Sequence, residues 1–234
     1  LEIGPGFGAL TFELVKHAGQ VVAVEKDKRL AEFLINSKKQ LINNKKNLEI
    51  LQGDVLKIKN FDLFKNYKIK NYKIISNLPY QITSPVLWRF LHKEKHKPEL
   101  MVLMVQKEVA ERIIARPGKM NILSVMCQFY SQPKIIAFVK KENFWPMPEV
   151  DSAIIKLKIN RRSKALSCSE KDFFRLVKIG FSAKRKMLKN NLSVGLKIPA
   201  GKIEDALNKI GLNKKVRAQD LGVDDWVKLS KAIF

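Results

Sequence analysis

The chain has 234 residues, of which 46% are hydrophobic, so it can bury a substantial core and is not a disordered polyelectrolyte. No apolar run approaches the roughly 18 residues that a membrane-spanning helix needs, so no membrane partner is expected. Lysine and arginine number 45 against 22 aspartates and glutamates; the net charge of +23 favours a polyanionic partner, although a solvated lysine-rich surface would give the same count.

The first 160 residues alternate between strand and helix patterns. The predicted strands are 1–3, 20–24, 48–51, 73–75, 100–105, 135–139 and 153–159, and the predicted helices are 9–16, 30–41, 84–91, 107–115 and 121–130. This alternation predicts a parallel-dominated α/β sheet flanked by helices. The last two strands are close in sequence, which predicts an antiparallel pair at one edge of the sheet.

The pattern changes at a polar linker, residues 160–164, beyond which we predict the helices 170–180, 182–192, 200–210 and 224–233. Residues 161–234 contain 18 basic and 7 acidic residues, which makes them about twice as basic per residue as the rest. We therefore predict two domains. Residues 1–160 form the α/β domain, and residues 161–234 form a small, basic, all-α domain.

The first predicted strand ends in a glycine-rich turn, Gly4-Pro5-Gly6-Phe7-Gly8. Gly4 and Gly6 let a ligand approach the backbone without meeting a Cβ, and the following helix offers free N–H groups. The glycine spacing also satisfies the dinucleotide fingerprint, so a nicotinamide cofactor is one alternative for this loop.

Carboxylates occur at the ends of the first three predicted strands. Glu2 precedes the glycine turn, where it can face a cationic cofactor. Glu25 lies 21 residues beyond Gly4, where a carboxylate can accept hydrogen bonds from ribose hydroxyls. Asp54 can accept from an adenine amine, or it can simply cap a turn. Three carboxylates at one edge suit a sulfonium amino acid better than a pyrophosphate.

The fourth predicted strand runs into Asn77-Leu78-Pro79-Tyr80. Pro79 holds Leu78 in an extended backbone, so the Leu78 carbonyl can lie beside the Asn77 side-chain oxygen. Two such acceptors would bind both hydrogens of an exocyclic amine and stabilise positive charge on its nitrogen, and Tyr80 could stack on a flipped base. An ordinary strand-ending Asn-x-Pro turn is the alternative.

These motifs together resemble the ribosomal RNA adenine dimethyltransferase family, in its bacterial small-subunit branch. The resemblance covers essentially the whole chain and rests on the glycine turn, Val24-Glu25, Gly53-Asp54, the Asn77–Tyr80 motif, residues 106–110, residues 144–152 (FWPMPEVDS), residues 181–186 and Arg217-Ala218. It implies a Rossmann-like S-adenosylmethionine-dependent methyltransferase sheet flanked by helices, plus a small all-α C-terminal domain.

The resemblance also implies roles for individual residues. The residues implied to bind S-adenosylmethionine are Glu2, Gly4, Gly6, Glu25, Asp54 and Asn77. The catalytic residues would be Asn77, Leu78, Pro79 and Tyr80. Of these, Asn77, Leu78 and Tyr80 would hold the target adenine, and Phe144 would close on its other face. Such enzymes carry an upstream Gly-Gln-x-Phe-Leu segment that does not occur here; because residue 1 is a leucine within a predicted strand, we expect the sequence to be N-terminally incomplete.

The basic tail has phosphate-contacting chemistry without a recognisable base-reading code. Lys184, Arg185, Lys186 and Lys189 are predicted on one helix, followed by Lys214, Lys215 and Arg217. We predict that this tail grips the shape and backbone of RNA. The expected partner is ribosomal RNA in an immature small subunit, in the cytoplasm, with the protein acting as a monomer. The two cysteines and three histidines lack ligand spacing, so no metal site is predicted.

Three other functions remain open at this stage. An antibiotic-resistance methylase of large-subunit RNA would use the same chemistry at another site. A non-catalytic RNA-binding or transcription factor could be built on the same fold, although the intact Asn77–Tyr80 motif argues against it. A nicotinamide-dependent oxidoreductase is the most distant alternative.

Overall fold

The computed structural model describes residues 1–41, 47–58, 71–160 and 169–234. These residues divide into two compact units. One comprises Leu1–Ala110 with Lys134–Ile159, and the other comprises Glu111–Pro133 with Asn160–Phe234. Nearly all of the linker predicted at 160–164 lies outside the described residues. Among the described helices, none is both long and apolar enough to cross a membrane.

The strands form a mixed sheet. Their bounds are β1 (Glu2–Ile3), β2 (Val21–Glu25), β3 (Leu48–Gln52), β4 (Lys73–Asn77), β5 (Leu100–Gln106), β6 (Ser131–Val139) and β7 (Ser152–Ile159). Strands β1, β2 and β3 are parallel neighbours, and β4 is parallel to β5. Strand β7 runs antiparallel to β5, and β6 lies beyond it at the end of the sheet. The predicted α/β architecture is confirmed.

Hydrogen bonds join β1 to β4. The Ile75 amide donates to the Leu1 carbonyl at 3.0 Å, and Ser76 Oγ donates to the Ile3 carbonyl at 2.5 Å. The strand order across the sheet is therefore β3-β2-β1-β4-β5-β7-β6. The chain moves outward from β1 to β3 and then continues on the other side of β1, so the order reverses between β1 and β4. Ligands of open α/β sheets bind at the carboxyl ends of strands beside such a reversal.

The burial patterns of these segments are those expected for strands in a covered sheet. All five residues of β2 are buried, as expected for a central strand covered on both faces. In β5 burial alternates, with Met101, Leu103 and Val105 fully buried. The helices of this unit are α1 (Ala9–His17), α2 (Lys28–Leu41) and α3 (Thr83–Trp88), together with the start of α4 (Lys107–Ile113).

Helix α3 is shorter than the predicted helix 84–91. It ends at Trp88 and passes into a π-helical turn, Arg89–Lys93. The buried Arg89 side chain explains the change, because its Nε donates to Glu94 Oε1 at 2.8 Å and its guanidinium also reaches the Ile58 carbonyl. A local ion pair and a hydrogen bond to a residue distant in sequence thus accompany the change from α-helix to π-helical turn.

The second unit contains α5 (Ile122–Tyr130), α6 (Glu170–Gly180), α7 (Leu188–Leu196), α8 (Ala200–Lys209) and α9 (Val223–Ile233). Residues 111–133, which the sequence places in the first domain, belong to this unit. The rings of Phe129 and Phe173 stack with their centroids 4.7 Å apart, and Tyr130 Oη donates to Glu170 Oε2 at 2.5 Å. Aromatic packing across about 40 residues of sequence therefore ties α5 to α6.

The predicted helix 182–192 is wrong at its start, because α7 begins at Leu188 and a turn occupies the residues before it. Asn191 explains this turn: its buried Nδ2 donates to the Gly180 carbonyl at 2.7 Å and to the Ala183 carbonyl at 3.1 Å. These carbonyls belong to the last residue of α6 and to the turn after it, and a continuous helix would direct them elsewhere. Lys184, Arg185 and Lys186 are therefore exposed turn residues and do not open a helix.

Candidate active site

The strand reversal brings the glycine turn after β1 next to the Asn77–Tyr80 motif after β4. Gly4 adopts a left-handed φ of 66°, and a Cβ placed on it would lie 3.3 Å from Pro79 Cδ. A side chain at position 4 would therefore be strained and would also press on Pro79. Glycine at position 4 allows the backbone of the turn to lie close to the Pro79 ring.

Glu25 holds the glycine turn in shape. Its Oε2 accepts a hydrogen bond from the Gly6 amide at 3.1 Å, and its Oε1 accepts one from the Asp27 amide at 2.9 Å. The carboxylate is buried at the end of β2. Each oxygen retains acceptor capacity, so Glu25 can order the turn and still accept from a ligand hydroxyl.

Glu2 is the most unusual carboxylate of the site. It is only 2% exposed, and neither Glu2 Oε2 nor the nearby Thr11 Oγ1 has a hydrogen-bond partner within the described part of the chain. Burial raises the pKa of Glu2 to about 7, with the charge of Glu25 as a smaller cause in the same direction and Thr11 and the N-terminal amino group opposing it. A buried carboxylate oxygen without a hydrogen bond is unfavourable, and a cation bound beside it would offset that cost.

Asp54 follows β3 in the same row of strand ends. Its Oδ1 accepts from the Leu56 amide at 2.9 Å, and its Oδ2 lies 3.4 Å from Lys26 Nζ. The pKa of Asp54 is lowered, chiefly by the Leu56 N–H and further by Lys26. Asp54 thus stabilises its own turn, which is the alternative role that the sequence left open, and its ionised carboxylate keeps lone pairs for a ligand.

A cleft of about 370 Å³ opens at the carboxyl end of β4. It combines a polar residue, Asn77, with the rings of Tyr80 and Phe144. Asn77 and Pro79 are exposed, and Leu78 is buried with its amide donating to the Met104 carbonyl at 3.2 Å. The lining residues are Asn77, Leu78, Pro79, Tyr80, Gln81, Phe144, Trp145, Pro146 and Pro148. The predicted adenine-holding residues therefore share one cavity.

The Tyr80 hydroxyl is held by a residue that no motif in the sequence identifies as its partner. Its hydroxyl lies 2.9 Å from Oγ of Ser152, a fully buried residue that opens β7. The serine belongs to the same FWPMPEVDS segment as Phe144, but 72 residues separate it from Tyr80. The only sequence signal was membership of the FWPMPEVDS segment, which does not reveal its partner.

The Tyr80–Ser152 pair should be energetically coupled. We expect Tyr80→Phe and Ser152→Ala each to lower the free energy of unfolding by about 1 kcal/mol. Each substitution removes one hydroxyl of the pair and leaves the other hydroxyl without its hydrogen bond. The double variant should lose little more than either single one. Urea unfolding of the four proteins measures the coupling; losses that simply add would show that the contact contributes nothing.

The basic residues of the tail lie in the second unit. The turn with Lys184, Arg185 and Lys186 is joined to the loop with Lys214 and Lys215 by a hydrogen bond from the Leu188 amide to the Val216 carbonyl at 2.8 Å. All five basic side chains are exposed. Lys189 differs from the prediction, because its Nζ forms a part-buried ion pair with Glu204 Oε1 and is thereby held within the unit.

Comparisons with known proteins identify the family to which the sequence is similar. The family model described as "Ribosomal RNA adenine dimethylase" matches residues 1–234. A protein of Dehalococcoides mccartyi named ribosomal RNA small subunit methyltransferase A is 42% identical over 229 residues, covering 98% of this chain and 76% of that protein. The protein of the same name from Mycoplasma capricolum is 40% identical over 236 residues, covering 100% of this chain and 86% of that protein.

Solved structures of two methyltransferases superpose on nearly the whole chain. A dimethyladenosine transferase from Plasmodium falciparum superposes with a TM-score of 0.80 at 27% identity, covering 97% of this chain and 86% of that one. The 23S rRNA methyltransferase ErmE superposes with a TM-score of 0.72 at 25% identity, covering 99% and 88%. The predicted resemblance is confirmed by the match along the whole chain. The chain belongs to the ribosomal RNA adenine dimethylase family.

Proposed function

We propose that this chain transfers methyl groups from S-adenosylmethionine to the exocyclic N6 amine of adenines in small-subunit ribosomal RNA, forming N6,N6-dimethyladenine. The observation that carries the proposal is the cleft in which Asn77, Tyr80 and Phe144 meet, beside a proline that contacts the glycine turn. The cleft combines a hydrogen-bond acceptor and two aromatic rings, which suits a flipped purine carrying an amine.

The glycine turn and its carboxylates fit S-adenosylmethionine. The cofactor is a cation that carries ribose hydroxyls and an adenine amine, and when bound it supplies an electrophilic methyl group. Oε2 of the buried Glu2 has no hydrogen-bond partner among the described residues, so this carboxyl would face the cationic methionine end. Glu25 and Asp54 would accept from the ribose and the adenine amine, while Gly4 and Gly6 leave room along the turn and Asn77 borders the methyl-transfer position.

The target amine would be held by two oxygens of the chain. Asn77 Oδ1 and the Leu78 carbonyl oxygen would each accept a hydrogen bond from one N–H of the amine. This geometry favours a pyramidal nitrogen whose lone pair is no longer delocalised into the ring. These oxygens also stabilise the positive charge that develops on nitrogen. Pro79 has no N–H and fixes the backbone on which the Leu78 carbonyl is carried. Tyr80 and Phe144 stack on the two faces of the base.

Each methyl transfer would release S-adenosylhomocysteine and one amine proton, which passes to water, so two transfers remove both amine hydrogens. After the first transfer one hydrogen still binds an acceptor, so the base can remain in the cleft. After the second, Asn77 Oδ1 and the Leu78 carbonyl have no hydrogen to accept. An acceptor pair that the bound base shields from water is then unsatisfied, and release of the dimethylated base is favoured.

The exposed cations of the second unit would supply RNA affinity. Lys184, Arg185 and Lys186 contact phosphates without reading bases and so position an unpaired adenine. We place the reaction on an immature small ribosomal subunit in the cytoplasm, with the protein acting as a monomer. Similarity to ErmE supports a second candidate, methylation of large-subunit RNA. Small-subunit RNA is the first choice because the relatives at about 40% identity carry that name.

Isolated ribosomal subunits test the proposal. The protein is incubated with labelled S-adenosylmethionine and either precursor small subunits or large subunits, and the RNA is digested for mass spectrometry. We expect two methyl groups per modified adenine in the small-subunit RNA only. Incorporation confined to large-subunit RNA would support the second candidate, and tight RNA binding without any incorporation would favour a non-catalytic factor.

A further inference from the structure

Trp145 is the most exposed large aromatic side chain among the described residues. It is 97% exposed, yet it lines the same cleft as Asn77 and Tyr80. By contrast, Trp226 is fully buried in the second unit. A tryptophan whose ring is almost wholly exposed to water contributes little to the free energy of unfolding. A role in folding therefore does not explain the tryptophan at this position.

The backbone beneath Trp145 is well anchored. The Phe144 amide donates to the Lys141 carbonyl at 3.2 Å, and the Lys141 amide donates to Asp151 Oδ1 at 3.2 Å. The Asp151 carbonyl in turn accepts from the Lys107 amide at 2.9 Å. Pro146 follows the tryptophan directly and restricts the backbone. The exposed ring is therefore presented from an ordered loop, which limits the entropy lost when a flat partner stacks on it.

The charge of this loop argues for contact with a base and against contact with phosphate. Residues 140–151 carry two lysines, Lys140 and Lys141, against the acidic residues Glu142, Glu149 and Asp151. A segment without net positive charge does not attract the RNA backbone. An aromatic face, however, stacks on any nucleobase irrespective of charge. The side of the cleft that holds Trp145 is thus suited to an unpaired base.

We propose that Trp145 stacks on the base of a nucleotide adjacent to the target adenine. This inference rests on the proposed function, because it assumes that an RNA adenine enters the cleft between Tyr80 and Phe144. Since those two rings occupy the faces of the target base, Trp145 at the mouth is left for a neighbouring base. It is a substrate-positioning residue that selects single-stranded RNA with a stackable neighbour.

Variants at position 145 separate stacking from apolar contact. We expect Trp145→Ala and Trp145→Leu to raise KM for RNA roughly tenfold, because base–aromatic stacking is lost. Trp145→Phe should stay within about threefold of wild type. For all three, kcat and the affinity for S-adenosylmethionine should be nearly unchanged. Met147→Ala is the matched control, because Met147 lies in the same loop, is 59% exposed and does not line the cleft.

A second readout does not depend on turnover. A short single-stranded RNA containing an adenine should quench the fluorescence of wild type but not that of Trp145→Phe, in which Trp88 and Trp226 remain. Replacing the flanking nucleotides by abasic ones should weaken binding to wild type and leave binding to Trp145→Ala unchanged. Leucine performing as well as phenylalanine, or an abasic penalty equal in both proteins, would overturn the stacking role.

The two proposals fail in different ways. If wild type methylates small-subunit RNA and Trp145→Ala has the same KM, only the stacking inference is wrong. If wild type methylates no RNA, the proposed function is wrong, and the fluorescence experiment still decides whether Trp145 stacks on a base. Weaker binding of Trp145→Ala to whole subunits but not to the short RNA would point to a protein contact and overturn the inference.

Discussion

Asn77→Ala is expected to slow methyl transfer at least about 100-fold, because removing one preorganised group that stabilises developing charge costs on the order of 10²–10³ in rate. Asn77 is exposed in the cleft, so its loss should change stability little. Single-turnover transfer to precursor small subunits, with protein in excess, measures the chemical step. Thermal unfolding of the same preparations checks that the fold is intact.

Gln81→Ala is the control for Asn77→Ala. Gln81 is exposed and lines the same cleft, but it lies beyond Tyr80 and offers no acceptor at the end of β4. We expect Gln81→Ala to transfer methyl groups within about threefold of the wild-type rate, since it carries no developing charge. An Asn77→Ala protein that is as fast as Gln81→Ala would mean that the amide oxygen does not bind the amine, and the proposed chemistry would have to be given up.

Glu2→Gln should stabilise the free protein and weaken cofactor binding. Burial raises the pKa of Glu2 from 4.5 to about 7, so the folded state prefers the protonated carboxyl. Its favourable contribution is complete below pH 4.5 and is lost as the pH rises through 7. At pH 8 the shift corresponds to a cost on the order of 3 kcal/mol, which a neutral glutamine does not incur. The same substitution removes the charge proposed to face the cationic cofactor.

Urea unfolding at pH 5 and pH 8, together with calorimetry of S-adenosylmethionine binding, tests this opposition. The stability gain of Glu2→Gln should be large at pH 8 and small at pH 5. Glu25→Gln should behave in the opposite way and lose about 1–2 kcal/mol, because both oxygens of Glu25 accept backbone hydrogen bonds that an amide group cannot fully replace. A less stable Glu2→Gln protein, or one with unchanged cofactor affinity, would contradict the assignment.

The sequence by itself determined the α/β class and the edge of the sheet at which the site lies. Alternating strand and helix patterns impose a parallel-dominated sheet, and in such a sheet the carboxyl ends of β1 and β4 must meet at one edge. The glycine turn and the Asn77–Tyr80 motif follow those two strands directly. Their proximity therefore follows from local patterns and topology, and the contact between Gly4 and Pro79 agrees with it.

Contacts between side chains far apart in sequence were revealed only by the tertiary structure. The start of α7 at Leu188 depends on the hydrogen bonds that Asn191 donates to carbonyls at the end of α6 and in the turn after it. The grouping of residues 111–133 with the helical unit depends on Phe129 stacking on Phe173. Likewise, the bond from Tyr80 to Ser152 and the ion pair of Lys189 leave no trace in helical or strand periodicity. Periodicity reports which face of an element is apolar, whereas the partner of a polar or aromatic group is set by how elements pack.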